Sequence, residues 1–296
     1  MNKNTPWDEI GRTAPAQSDL IILGVPFDGA VSASRGAAAA PDRLRELSRI
    51  LPPFSEEGKD LRHLKLADQG NVALTLRWER FFDEVERQAA TALQTGRFCL
   101  FLGGDHSVTI PLIKAFASYH SAVPVGIIHF DSHCDLMDEY DGHPWSHACT
   151  QRRSLEQPNI LPDHLALVGI RSYEAAELEF IRANPAITVI GARKLYCQGL
   201  PKTLDQICSA MAGAAVVYLS LDIDVLDPAF APGTGTPEGG GLSTREVIEL
   251  IRALLTRLPV KAADIVEVSP PLDCSDITSW AALKIIYEIF AVLATR

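Results

Sequence analysis

Short apolar runs alternate along this chain with longer stretches whose apolar residues recur every three or four positions. Leu20–Val25, Leu64–Asp68, Phe98–Leu102, Val125–Phe130, Leu165–Ile170, Ile187–Ile190, Val216–Leu221 and Ile265–Val268 read as strands. Helices are predicted between them. Asp42–Leu51 starts beside Pro41 and stops at Pro52-Pro53. Trp78–Thr95 places Phe81, Phe82, Val85, Ala89 and Leu93 at helical spacing, with Gly96 where a C-cap is expected. Val108–His120, Glu174–Asn184, Leu200–Met211 and Ile277–Thr295 follow the same periodicity. Ser243 and Glu246 have capping-box spacing for a helix running to Leu258. Asp138–Arg153 and Asp227–Gly241 read as long loops. This regular alternation predicts an α/β fold with one parallel sheet covered on both faces. No internal repeat, linker or low-complexity boundary interrupts it, so residues 1–296 are expected to form a single domain.

The polar residues are distributed unevenly against this pattern. The run from Val125 ends in His129-Phe130-Asp131-Ser132-His133-Cys134-Asp135, with Asp131, His133 and Asp135 at every second position. In an extended backbone those three side chains share one side, and Cys134 falls on the other. His106 follows the Phe98–Leu102 run after Gly103-Gly104-Asp105. Asp222 and Asp224 follow Val216–Leu221, and Glu267 lies in the last run. Ligands of open α/β sheets bind outside the carboxyl ends of the strands, so these groups are expected at one edge. Four aspartates and two histidines held together are costly without a positive charge between them. The set suits two divalent cations sharing bridging carboxylates and activating a water. Oxygen and nitrogen donors without thiolate favour Mn over structural zinc, with Ni or Co as other occupants.

Other residues leave alternatives open at this point. His147 is a surface histidine or a proton shuttle. Glu267 is a partner for a core arginine or a clamp on a cationic substrate. Glu174 is a surface helix residue or a second anionic contact. Thr236 belongs to a rigid turn or lines the site.

Composition narrows the classes. Hydrophobic residues make up 47% of the chain, enough for a substantial core. The formal net charge of −10 argues against nucleic acid as partner. Six scattered cysteines lack the spacing of a disulfide framework or zinc finger, so reduced thiols in a cytoplasmic protein are expected. The polar stretch Met1–Arg12 has no signal-peptide character, and no apolar run reaches membrane-spanning length.

Three segments together resemble the signature motifs of the ureohydrolases, the family of arginase and agmatinase. They are Gly103-Gly104-Asp105-His106-Ser107, Phe130-Asp131-Ser132-His133-Cys134-Asp135, and Ser220-Leu221-Asp222-Ile223-Asp224-Val225-Leu226-Asp227-Pro228. The likeness extends through Phe230–Pro237 and Glu267-Val268-Ser269-Pro270-Pro271, and covers roughly Gly24 to the C-terminus. It implies a three-layer αβα arginase-like fold and hydrolysis of a guanidino group to urea and an amine. It also implies two Mn ions, one held by His106, Asp131, Asp135 and Asp222 and the other by Asp131, His133, Asp222 and Asp224. In that scheme Asp135 orients the hydrolytic water, Glu267 binds the guanidinium and His147 shuttles the proton. A homotrimer or homohexamer is the implied assembly.

Pro228–Glu238 and Gly169-Ile170-Arg171-Ser172 look like agmatinase rather than arginase. The acidic segment Leu136–Gly142 suits a substrate with a cationic tail, making agmatine the expected substrate. Arginine, guanidinobutyrate, guanidinopropionate and guanidine are the alternatives. A related single-zinc deacetylase is disfavoured by the full donor set, as is a non-catalytic paralogue. The family usually has Ala where this chain has Ser132, whose side chain the alternation directs away from the cluster.

Overall fold

The computed structural model describes residues 6–7, 10–75 and 77–295. The stretch Met1–Arg12 thus lies partly outside the described residues. Among the described residues, nine parallel strands form one sheet: β1 (Gly11–Arg12), β2 (Leu20–Gly24), β3 (Lys65–Asn71), β4 (Phe98–Leu102), β5 (Val125–Phe130), β6 (Ile160–Ile170), β7 (Thr188–Gly191), β8 (Val216–Asp222) and β9 (Val260–Val266). Their order is β1-β3-β2-β4-β9-β8-β5-β6-β7. The helices are α1 (Ala40–Ser48), α2 (Trp78–Leu93), α3 (Thr109–Tyr119), α4 (Thr150–Ser154), α5 (Ala175–Ala183), α6 (Ala192–Ala210), α7 (Thr244–Arg257) and α8 (Ile277–Leu293).

Alternate residues of each central strand feed two separate cores. Leu20, Ile22, Leu100, Leu102, Ile128 and Phe130 pack with α1, α6, α7 and α8. Ile21, Leu23, Cys99, Phe101 and Ile127 pack with α2 and α3 on the other face. With both faces covered, the side-chain period of two yields continuous apolar runs. This is a three-layer αβα arrangement. Among the described residues, no helix is long and apolar enough to cross a membrane.

Several boundaries differ from the sequence expectation. β9 begins at Val260 rather than Ile265 and ends before Glu267. Glu267 is therefore outside the ladder, in a left-handed conformation (φ 60°). α6 begins at Ala192, before the predicted Leu200, and is broken at Gly199 (φ 78°) just ahead of Pro201. That break is why only its second segment was legible as a helix. The Asp138–Arg153 segment is not a plain loop, because His147–Cys149 forms a 3-10 turn that runs into α4.

β4, β9, β8 and β5 are neighbours at the centre of the sheet. Their carboxyl ends carry His106, Glu267, Asp222 and Asp131, so sheet order alone brings four distant segments to one edge.

Candidate functional site

His106 opens a short 3-10 turn after β4, capped by Asp105, which accepts from the Ser107 backbone N–H at 3.0 Å. The second oxygen of Asp105 accepts from the Ala30 N–H at 2.9 Å and ties the loop after β2 to the site. Gly104 permits this approach: a Cβ there would lie 1.8 Å from the Phe27 carbonyl oxygen. The His106 Nδ1 atom then faces Asp131 Oδ2 at 3.0 Å, Asp135 Oδ2 at 3.2 Å and Asp222 Oδ2 at 3.1 Å. All four residues are buried.

Asp131 turns its other oxygen toward a second group. Its Oδ1 lies 3.4 Å from His133 Nδ1, and the same nitrogen lies 3.1 Å from Asp224 Oδ2. Two donor sets result. One gathers His106, His129, Asp131 and Asp135, and the other Asp131, His133 and Asp224, with Asp131 common to both. Asp222 joins the first set through Oδ2, while its Oδ1 accepts from the Asp224 N–H at 2.8 Å.

The convergence does not arise by extended alternation, as the spacing suggested. Asp135 has φ 55°, and Asp224 lies in the 3-10 turn Ile223–Val225. The Asp135 carbonyl accepts from the N–H groups of Gln151 (2.9 Å) and Arg152 (3.1 Å) at the start of α4. Tight turns beyond the strand ends, rather than strand pleat, aim these carboxylates. Ser132 also departs from expectation, since its hydroxyl lies 3.0 Å from His133 Nδ1.

The cluster is electrostatically unbalanced as a bare protein. Burial, then the charges of Asp224 and Asp131, pushes Asp222 far above the carboxylate range. Burial and Asp131 raise Asp135 to about 7, and the same pair of causes raises Asp224. Asp131 alone is held well below the usual range, because His129, His106 and His133 outweigh its burial. Burial pulls His133 down, but Asp131 and Asp224 outweigh it and lift the ring to about 12. The buried Asp135 Oδ2, 3.2 Å from His106 Nδ1, makes no hydrogen bond among the described residues. Oxygen and imidazole donors in this state fit divalent cations, which would stabilise every carboxylate at once.

Beside the cluster, Glu267 Oε1 accepts from the His106 N–H at 2.9 Å and lies 3.2 Å from His147 Nδ1. His147 Nε2 accepts from the Ser32 N–H at 3.0 Å. Burial pulls the His147 ring down, yet Glu267, Asp135 and Asp105 lift it to about 9. Backbone hydrogen bonds tie its segment down: the His147 N–H donates to Ala30 O, and Met137 N–H to Ala148 O. Thr236 Oγ1 lies 3.4 Å from Asp224 Oδ2. Glu174 is exposed, precedes α5 and lies at the rim. Its neighbour Glu177 accepts from the N–H groups of Leu136 and Glu174, both at 2.9 Å, fixing the backbone just past Asp135. A cavity of about 150 Å³ opens over the cluster, and Ser32, His147, Glu174 and Thr236 line it.

The chain matches the Arginase family over residues 18–291. The chain belongs to the arginase family. The agmatinase of Bacillus subtilis (strain 168) is 36% identical over 277 residues, 92% of this chain and 91% of that protein. Proclavaminate amidino hydrolase from Streptomyces clavuligerus superposes with a TM-score of 0.87 at 30% identity, covering 98% of this chain and 97% of that one. Formimidoylglutamase from Bacillus subtilis subsp. subtilis str. 168 superposes with a TM-score of 0.89 at 26% identity, covering 97% and 90%. This arginase-family protein is an amidinohydrolase similar to agmatinases, with the arginase-like three-layer fold.

A buried network behind the donor cluster of this arginase-family protein leaves little mark in the sequence. His106 Nε2 lies 2.9 Å from Ser220 Oγ, and Ser220 Oγ donates to Asp264 Oδ1 at 2.7 Å. Tyr218 and Thr109 hydroxyls donate to Asp264 Oδ2, both at 2.8 Å. His129 Nε2 lies 3.2 Å from Asp131 Oδ2, with Gln151 Nε2 at 3.0 Å from its Nδ1. The available signal was a polar residue inside an apolar run: His129 in β5, Ser220 in β8 and Asp264 in β9. In a sheet covered on both faces, each needs a buried partner.

Proposed function

We propose that this protein hydrolyses agmatine to putrescine and urea at a binuclear Mn centre, with residues 1–296 acting as one unit. The observation that carries this is the division of the donor set into two groups sharing Asp131. Identity of 36% to an agmatinase across most of both chains supports the substrate. His106, Asp131, Asp135 and Asp222 would hold one cation, and Asp131, His133, Asp222 and Asp224 the other. When bound, the cations supply a water acidic enough to act as nucleophile at neutral pH, and offset the negative charge of the tetrahedral intermediate.

The remaining work falls to the chain's own residues. Glu267 binds the guanidinium and holds His147 Nδ1. His147 returns a proton to the leaving amine, and the Ser32 contact keeps its ring in place. Asp135 orients the attacking water. Thr236 and Glu174 contact the substrate from the cavity wall. Ni or Co would occupy the same donors, and a cytoplasmic homotrimer or homohexamer is the proposed setting.

A second reading is a different guanidino substrate: guanidinobutyrate, guanidinopropionate, arginine or guanidine itself. The structural match to proclavaminate amidino hydrolase favours keeping it. Urea release by Mn-loaded protein from this panel separates the readings. Agmatine is expected to have the highest kcat/KM, and a higher value for a carboxylate-bearing guanidine would overturn the assignment.

A further inference from the structure

The segment Gly169-Ile170-Arg171-Ser172 closes β6 and takes no part in the hydrolytic steps. It is wedged between the two loops that carry the second donor group, Asp131, His133 and Asp224. Gly169 has φ 97°, and a Cβ there would lie 2.5 Å from Val225 Cγ2 and 3.0 Å from the Asp131 carbonyl oxygen. Glycine lets the strand end come this close to both loops.

The main chain of the segment holds one loop. The N–H groups of Arg171 and Ser172 both donate to the Ser132 carbonyl, at 2.9 and 3.0 Å. Ser132 stands between Asp131 and His133, and its own N–H donates to Asp224 Oδ1 at 3.0 Å.

The side chain holds the other loop. Among the described residues the Arg171 guanidinium donates to main-chain carbonyls and to no carboxylate. Nη2 reaches Asp224 O at 2.6 Å, Glu238 O at 2.7 Å and Leu226 O at 3.3 Å. Nη1 reaches Gly169 O at 3.2 Å and Val225 O at 3.4 Å, and Nε reaches Glu238 O at 3.2 Å. Gly241 makes room for this, since a Cβ there would lie 2.7 Å from Nη2. The 3-10 turn Ile223–Val225 is too short to satisfy its last carbonyls along the chain, and the guanidinium supplies the missing donors. A planar fork of five N–H groups can gather several carbonyls of one turn, which a compact ammonium cannot.

One residue therefore ties together the loop of His133 and the turn of Asp224, whose side chains meet at 3.1 Å. None of its hydrogen bonds reaches His106, Asp135 or Asp222. Arg171 is also absent from the lining of the cavity over the cluster. It lines a separate cavity of about 390 Å³ with Tyr196 and Leu242.

We propose that Arg171 is a positioning residue that sets the spacing of His133 and Asp224, and with it the affinity of the second cation, from outside the catalytic cavity. The inference rests on the two-cation reading above and assigns a residue to one of its two sites.

Calorimetric titration of the metal-free protein with Mn(II) reads both binding constants. Arg171→Met keeps an apolar stem and removes every donor. It is expected to weaken one cation by about 10- to 100-fold, as loss of a partner behind a ligand does, and to leave the other within about threefold. Arg171→Lys keeps the charge without the fork, so its constant for the affected cation should fall between those of the unaltered protein and Arg171→Met. Electron paramagnetic resonance gives a second readout. With two Mn(II) supplied per chain, the unaltered protein should show a spin-coupled pair and Arg171→Met mainly isolated Mn(II). Circular dichroism melting of the metal-free variants identifies any that fail to fold, and Arg171→Lys decides the matter if Arg171→Met does. Unchanged constants in a folded variant, or equal weakening of both cations, would overturn the proposal. Selective weakening without urea release from any guanidine by the unaltered protein would support the positioning role and sink the hydrolytic reading. Binding of a single cation by the unaltered protein would sink the two-cation reading and the proposal with it.

Discussion

The two halves of the ligand cluster are built differently. His106 is buried, with Nδ1 facing three carboxylates and its far nitrogen tied through Ser220 to Asp264. The His133 side chain is 29% exposed and borders the cavity, with Nδ1 near Asp131, Asp224 and the Ser132 hydroxyl. One half is anchored into the sheet through β8 and β9. The other stands on turns beyond the strand ends. The anchored half is expected to bind its cation more tightly, and the open half to exchange its cation with solvent.

Asp131 is where the comparison breaks down, because its two oxygens serve the two halves. Asp131→Asn keeps the volume and removes the charge. It should cost both cations, with turnover lower by at least about 10³-fold, the order of a lost electrostatic catalyst. Metal content by atomic emission, alongside a folding check by circular dichroism, reads this out. Retention of either cation at full occupancy would show that the halves do not depend on a shared carboxylate.

Asp264→Asn isolates the anchored half. Asp264 accepts from three hydroxyls, those of Thr109, Tyr218 and Ser220. Its carboxylate takes the Ser220 proton, so Ser220 Oγ accepts from His106 Nε2 and Nδ1 is left as the nitrogen free to face a cation. Partners of this kind are worth about 10- to 100-fold in metal affinity. Calorimetric titration of the metal-free variant should show one cation weakened by that factor and the other within about threefold of normal. Equal weakening of both would mean the network supports the sheet rather than one ligand.

A pH measurement sharpens the contrast from the catalytic side. In the metal-free protein the His147 ring titrates at about 9, raised by Glu267, Asp135 and Asp105 against its burial. This folded value lies above the unfolded one of about 6.5. The protonated ring therefore contributes stability that is fully present below the unfolded pKa and is lost as pH rises through about 9. Glu267→Gln should lower the titration midpoint of His147 by at least about one unit, roughly one such ion pair. Histidine resonances followed by NMR would detect it. An unshifted midpoint would remove Glu267 as the main partner of that ring. In the metal-loaded enzyme, His147→Ala should lower turnover by about 10²-fold or more, and unchanged turnover across pH would end the shuttle assignment.

The buried network behind the anchored half was less legible in sequence than the donor residues of either half. Asp131, His133, Asp222 and Asp224 stand out because charge appears abruptly after an apolar run, and sheet topology converts strand ends into one edge. Ser220 sits inside the run Val216–Leu221 that already reads as a strand, and Asp264 falls just before the run read from Ile265, so one looks like an interruption and the other like a strand boundary rather than a site. Their roles depend on β8 and β9 being adjacent, which spacing along one chain does not encode. The route to convergence was equally hidden. Alternation placed the right side chains together for the wrong reason, since the positive φ of Asp135 and Glu267 follows from contacts with α4 and the loop after β4. Other contacts fix His147, with Ala30 and Ser32 in the loop after β2 and with the Glu267 carboxylate, and in sequence it had only a polar, loop-like neighbourhood.

Ser132→Ala carries the smallest expected effect and tests the open half most directly. The Ser132 hydroxyl is 3.0 Å from the His133 nitrogen that also faces Asp131 and Asp224. A hydroxyl proton donated to that nitrogen competes with a cation for the same lone pair. A hydrogen bond of this kind has a net worth of about 0.5–1 kcal/mol, which corresponds to about two- to fivefold in affinity. Removing the hydroxyl should therefore tighten the weaker cation by that factor and leave the tighter one unchanged. The two-site calorimetric fit used for Asp264→Asn resolves both constants. Weaker binding in Ser132→Ala would reverse the argument: the hydroxyl would then assist the cation through its oxygen, and the open half would be the better supported of the two.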